Sequence, residues 1–179
     1  SKCIPEVMVL PLENLGSINL QSYDVVAVGP GLGRTDEAKV LVNSLLERQS
    51  GHMVIDADGL YALGTIGHVY AHGDKTITYE GNMQFKNCIM TPHLGEFSRL
   101  IDTSINFIEK HYVELAIQFA VAHNVVLVLK GIPSLVAFPT GEVYINMIGN
   151  PGMGTGGMGD SLTGIISAFV AQGYSLQSA

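Results

Sequence analysis

With 179 residues, 47% of them hydrophobic and 14% charged, the chain has enough apolar content for one domain with a sizeable core and is too apolar to be disordered. A net charge of −7 argues against nucleic acid or an anionic membrane as the main partner, so any phosphate bound here must be held by local geometry. Two cysteines, Cys3 and Cys88, are too few for a disulfide framework or a zinc site, and no run approaches the roughly 18 apolar residues of a membrane span.

In chain order, short apolar runs alternate with helical patterns. PEVMVLPL (5–12) reads as a strand, and the first ten residues lack a signal-peptide pattern, so a reducing, cytoplasmic compartment is expected. YDVVAVG (23–29) has the length of a buried strand and ends in the turn residues of PGLGR. A helix is expected over 35–49, with Thr35 as N-cap, acids in its first turn, and Ala38, Leu41, Val42, Leu45 and Leu46 at helical spacing. HMVIDADG is the next strand, ending in Asp56 and Asp58. The stretch 64–87 shows no regular pattern. CIMTPHLGEF is a strand that breaks at Pro92, INFIEKHYVELAIQFAVAH (105–123) one amphipathic helix, and VVLVLKG (125–131) the most apolar strand. SLVAFPTGEVYI (134–145) reads as a hairpin turning at Pro139, Thr140 and Gly141. A glycine run and a helix over about 161–172 follow, and YSLQSA (174–179) reads as the first turn of another helix. Strands buried on both faces and alternating with helices predict an α/β fold, a mostly parallel sheet with helices on both faces. The single domain spans 1–179 and reads as cut at both ends. In such sheets ligands bind at the carboxyl ends of the strands, which here carry GPGLG, DADG, TPHLGE, KGIPS and the glycine run.

The glycine run is the strongest chemical signal. Six of the twelve residues from Gly149 to Asp160 are glycine, and a helical pattern follows. Bare backbone feeding a helix N-terminus presents unpaired N–H groups and the positive end of the helix dipole, which suits phosphate. The alternative is a flexible surface loop. A P-loop needs Gly-Lys-Ser/Thr at its end, and Gly159-Asp160-Ser161 excludes it. The dinucleotide fingerprint is matched literally by Gly154, Gly156 and Gly159, but the 20 residues beyond Gly159 leave no room for the second strand. GPGLGR is better placed for it, with Asp56 downstream, although Arg34 occupies the third glycine position. Asp160 cannot serve to bind phosphate, because like charges repel. It can take the proton from a hydroxyl that attacks a phosphoryl group held by the loop, or it can simply cap the last helix.

With GPGLGR, DADGL, TPHLGEF, LKG and GNPGMGTGGMGD in that order, the sequence resembles the ADP/ATP-dependent NAD(P)H-hydrate dehydratases of the ribokinase-like superfamily. The resemblance implies a three-layer ribokinase-like fold. It implies an enzyme that repairs hydrated NADH and NADPH, phosphorylating the ring hydroxyl from ADP or ATP and then losing phosphate. By the same resemblance Asp160 is the catalytic base at the substrate. Gly31, Gly33 and His93 touch the hydrated dinucleotide with it. Lys130, Gly131, Ile132, Pro133, Ser134, Asn150, Thr155, Gly156, Gly157, Met158 and Gly159 contact the nucleotide. Mg2+ bridges the nucleotide phosphates without a dedicated protein cage, and a homo-oligomer is implied. Gly154, Met158 and Tyr61 stand where the family usually carries Ala, Thr and Asn. Two alternatives stay open: a vitamin- or thiazole-type small-molecule kinase of the same superfamily, and a non-catalytic nucleotide-binding module.

Among the remaining residues, Asp56 and Asp58 could support the pocket or a magnesium through water, or could cap the next helix. Glu96 reads as a first-turn helical acid. His52, His68, His72, His111 and His123 show no metal-ligand spacing and read as surface residues, and the seven methionines read as core filling.

Overall fold

The computed structural model describes residues 12–48, 51–72 and 76–179. After two short 3₁₀ turns, Leu12–Ser17 and Leu20–Ser22, strand β1 (Val25–Val28) leads to helix α1 (Asp36–Arg48). The Thr35 hydroxyl accepts the Ala38 N–H at 3.3 Å, as expected of an N-cap. Strand β2 (His52–Ile55) runs into helix α2 (Ala57–Leu63), and a hairpin of β3 (Gly67–His72) and β4 (Thr76–Gly81) follows. Then come β5 (Cys88–Met90), α3 (Leu94–Leu100), α4 (Ile105–Lys110), α5 (Tyr112–His123) and β6 (Val125–Leu129). A second hairpin, β7 (Ser134–Ala137) and β8 (Val143–Asn146), is followed by a 3₁₀ turn at Pro151–Gly154 and helix α6 (Met158–Ala171).

The main sheet has the order β1-β2-β5-β6-β7-β8. The first four are parallel, with Met53 beside Cys88 and Cys88 beside Val125, whereas β7 and β8 add on antiparallel. Helices α1 to α5 cover one face. Their core includes Val42, Leu60, Phe97, Ile108 and Phe119, with the Phe97 and Phe119 rings edge to face at 5.2 Å. Helix α6 lies on the other face, where Ile166 and Val170 meet Val54, Ile89 and Val126. The expected α/β architecture, helices on both faces of a mostly parallel sheet, is what forms. No described helix is long and apolar enough to cross a membrane.

Four expectations need correction. The irregular stretch 64–87 contains the β3–β4 hairpin. Its polar sequence hides it, because β3 is largely exposed beyond Gly67 and, among the described residues, pairs only with β4. The single helix over 105–123 is two, with His111 at the junction: its non-helical backbone (φ −122°, ψ 30°) closes the first and opens the second. The last helix begins at Met158, three residues early, because Gly157 supplies the left-handed turn that starts it (φ 88°). His123 is not on the surface but fully buried. Its Nδ1 faces the Met83 carbonyl, its Nε2 faces the Tyr79 hydroxyl, and burial lowers its pKa. Residues 5–11 of the first expected strand lie outside the described residues. At the other end, residues 175–179 make a hydrogen-bonded turn, Ser178 N–H to Ser175 O at 2.9 Å.

Candidate active site

The carboxyl ends of β1, β2, β5 and β6 stand side by side. The residues just beyond them are Gly29–Gly33, Asp56, His93 and Lys130. The Lys130 N–H donates to the Pro92 carbonyl at 2.8 Å, and His93 and Lys130 form an isolated parallel bridge. Gly29 brings the first two ends together: a Cβ there would lie 1.7 Å from the Asp56 carbonyl oxygen.

Asp56 is 1% exposed. It sits at the N-cap position of α2, yet its side chain makes no cap bond. Instead Oδ1 accepts from Lys130 Nζ at 2.8 Å and Oδ2 from the Thr163 hydroxyl at 2.9 Å. Burial alone raises the Asp56 carboxyl, but the hydrogen bond and charge of Lys130, with Thr163 and the Ala57 N–H, outweigh it and hold the pKa below the ordinary value. Both partners meet α6. A Cβ at Gly159 would lie 3.5 Å from Asp56 Oδ2 and 3.5 Å from Lys130 Nζ. The lysine is therefore not a free point charge but an ammonium pinned under the first turn of α6.

That first turn follows the glycine loop. Asn150 Oδ1 accepts the Gly152 N–H at 2.8 Å and the Thr155 hydroxyl donates to the Gly152 carbonyl at 3.3 Å, so both shape the loop. Further along, Met158 N–H reaches the Thr155 carbonyl and Ser161 N–H the Gly157 carbonyl. The N–H groups of Gly156, Gly157, Gly159 and Asp160 have no acceptor among the described residues. Four donors without an acceptor among the described residues, with a helix of fourteen residues behind them, make a turn chemically suited to an anion. Asp160 is exposed on the same turn. The N-cap is Gly157, so the cap-only reading of Asp160 does not hold.

The Lys130–Ser134 segment rises beside this turn. The Ser134 hydroxyl donates to the Gly131 carbonyl at 2.9 Å, and the Tyr112 hydroxyl braces the segment at the Leu129 and Pro133 carbonyls. Ile132, joined to Pro133 by a cis peptide, is 96% exposed.

On the opposite side, Gly31 and Gly33 have positive φ (68° and 84°) and open space around them. The Gly33 N–H donates to Asp58 Oδ2 at 3.0 Å and Arg34 Nε to Asp58 Oδ1 at 2.9 Å. The Arg34 hydrogen bond is foremost in lowering the Asp58 pKa. His93 begins α3 in an uncommon way: its ring Nδ1 accepts the Gly95 and Glu96 N–H groups at 3.0 and 3.2 Å, and Glu96 Oε2 takes the His93 N–H at 2.8 Å. An Nδ1 that accepts backbone N–H carries no proton, so the ring proton is on Nε2, 3.4 Å from Glu96 Oε1. Glu96 is thus a first-turn acid, as expected, and also orients His93.

The structure brings the predicted residues to one edge, in two groups: Lys130, the glycine loop and Asp160, and across from them Gly31, Gly33 and His93. Sequence reasoning missed Thr163 and Arg99, and it did not see that Asp56 answers Lys130. A lone lysine closing one strand and a lone acid closing its neighbour but one was the available signal. No described cluster of three or more acids, histidines or cysteines could cage a metal. Two clefts lie elsewhere, one by Gly67, Tyr70 and Glu80, the other on the open sheet face by Val128, Phe138 and Leu176.

The fold and this edge define a ribokinase-like α/β protein. A ribokinase-like superfamily protein from Enterococcus faecalis superposes with a TM-score of 0.73 at 30% identity, over 94% of this chain and 55% of that one. The ADP/ATP-dependent NAD(P)H-hydrate dehydratase of Bacillus subtilis, co-crystallised with ATP and Mg2+, superposes with a TM-score of 0.66 at 30% identity, over 83% and 47%. In sequence, a bifunctional NAD(P)H-hydrate repair enzyme from Moorella thermoacetica is 42% identical over 86% of this chain and 27% of its own length. An ADP-dependent (S)-NAD(P)H-hydrate dehydratase from Neisseria meningitidis is 35% identical over 94% and 54%. The NAD(P)H-hydrate dehydratase family matches residues 1–179, and the chain belongs to that family. It spans about half the length of the single-function relatives.

Proposed function

We propose that the chain carries the nucleotide-dependent dehydration of hydrated NADH and NADPH, a lyase activity of metabolite repair. The supporting observation is the turn at Gly156–Asp160: four unpaired N–H groups, an exposed carboxylate, and an ammonium pinned beneath by a buried acid. The loop N–H groups and Lys130 hold the phosphoryl group being transferred from ADP or ATP, and Lys130–Ser134, Asn150 and Thr155 line the nucleotide. Asp160 accepts the proton of the ring hydroxyl as its oxygen takes the phosphoryl group. The ring carbon–oxygen bond then breaks, phosphate leaves, the neighbouring carbon gives up a proton, and the dihydronicotinamide is restored. Gly31, Gly33 and the Nε2–H of His93 orient the substrate. With Asp56 already engaged, the donor set fits a magnesium carried on the nucleotide phosphates, with Asp160 as the exposed carboxylate of that turn. When bound, it neutralises phosphate oxygens.

The test is recovery of dihydronicotinamide absorbance from hydrated NADH with Mg2+ and either ADP or ATP. Wild type is expected to restore it only with nucleotide, and Asp160→Asn to lose about 10²–10⁴-fold in kcat with nucleotide affinity retained. Accumulation of a stable phosphomonoester without dehydration would instead mark a small-molecule kinase, and undiminished turnover by the variant would remove Asp160 as base.

A further inference from the structure

Three arginines occur in the sequence, and two of them converge on one ring. The Cζ of Arg34 lies 4.8 Å from the Tyr61 ring centroid and that of Arg99 4.4 Å from it. Stacking on a tyrosine face stabilises each guanidinium modestly, but it sets two like charges against each other. Neither fork is spent. Among the described residues Arg34 donates only through Nε, to Asp58, and its side chain is 62% exposed. Arg99 keeps Nε and Nη2 buried with no hydrogen-bond partner among the described residues, an arrangement that costs free energy until an acceptor is supplied. Burial is the main cause lowering its pKa, and Glu96 opposes it.

The position is as telling as the chemistry. Asp58, which holds Arg34, also holds the Gly33 N–H. Glu96, whose charge acts on both arginines, also holds the His93 N–H. The arginine pair therefore lies among the glycine turn and the histidine that face the dinucleotide. In a chain of net charge −7, two planar forks gathered there match a phosphate oxygen pair.

We propose that Arg34 and Arg99, stacked on Tyr61, form a phosphate subsite for the dinucleotide substrate, an inference that rests on the function proposed above. The shared chemistry has two sources, the pyrophosphate of both substrates and the 2′-phosphate of hydrated NADPH alone. Calorimetric titration with ADP-ribose and with 2′-phospho-ADP-ribose separates them, the nucleotide site being kept filled with ADP and adenosine serving as the phosphate-free control. Arg34→Gln, a surface change whose folding is checked by its melting curve, is expected to weaken binding at least tenfold, with Arg34→Lys falling between it and wild type. Equal weakening for both ligands assigns the pyrophosphate, and weakening for the 2′-phosphorylated ligand alone assigns the 2′-phosphate. Affinities within twofold of wild type for both ligands overturn the subsite, as does wild-type binding no tighter than that of adenosine. These titrations need no turnover. A chain that binds as expected but never restores dihydronicotinamide keeps the subsite and loses the dehydratase reading. A chain that turns over with titrations unmoved by Arg34→Gln does the reverse.

Discussion

Asp56 and Asp58 stand two residues apart, just beyond β2 and in the first turn of α2, and each pairs with one cation at nearly the same distance, 2.8 Å to Lys130 and 2.9 Å to Arg34. Their surroundings are opposite. The Asp56 side chain is 2% exposed and its lysine 25%, against 21% and 62% for Asp58 and Arg34. A buried pair is expensive to desolvate and pays back only when every lone pair is answered, as Thr163 does here for the second oxygen. Such a pair holds one geometry. An exposed pair is screened by water and holds its geometry weakly, so Arg34 can turn toward a ligand. Two acids of one tripeptide thus hold one cation fixed under the first turn of α6 and leave another adjustable beside the glycine turn.

The largest disruption should come from beneath both pairs. Gly29→Ala would place a Cβ 1.7 Å from the Asp56 carbonyl at a φ of +132°, and backbone cannot yield by that much. The expected result is a chain that loses its cooperative melting transition, and a normal melt would show that β1 and α2 can separate without consequence. Next is Asp56→Ala, which strands a half-buried ammonium and is expected to cost about 3–5 kcal/mol in denaturant unfolding. Replacing Asp56 and Lys130 together by apolar residues should recover much of that stability while leaving nucleotide binding weak. If binding survives, Lys130 does not serve the phosphate.

The pH dependence sharpens the same contrast. Because the Asp56 carboxyl is held below its ordinary value when folded, its contribution is present above the unfolded value and is lost as pH falls through the folded one. Stability should therefore drop on acidification below about pH 4, and Asp56→Asn should flatten that limb. An unchanged limb would mean that Lys130 does not perturb the carboxyl. The smallest stability effect belongs to Arg34→Ala, whose unfolding midpoint should match wild type even where phosphate binding is lost. A large shift in that midpoint would make the Asp58–Arg34 pair structural after all.

The sequence alone determined the architecture because its signals are local. The parallel strands read as continuous apolar runs, HMVI and VVLVL largely buried and VVAV half-buried at the sheet edge. Helix α1 announces itself through Thr35 and its spacing of three and four, and the glycines before Asp160 mark the start of α6. The carboxyl-edge rule then pointed to five segments, and the structure gathers them at one edge of the sheet. What it could not reach depends on partners far away in the chain. Asp56 meets Lys130 across 74 positions and Thr163 across 107, and Arg34 and Arg99 meet on Tyr61 from two different elements. His123 is polar at the end of a helix, so its place in the core follows only from β4 packing against α5. Local periodicity specifies which face of an element is apolar. Which charge answers which is decided by how the strand ends line up, and that exists only once the sheet has formed.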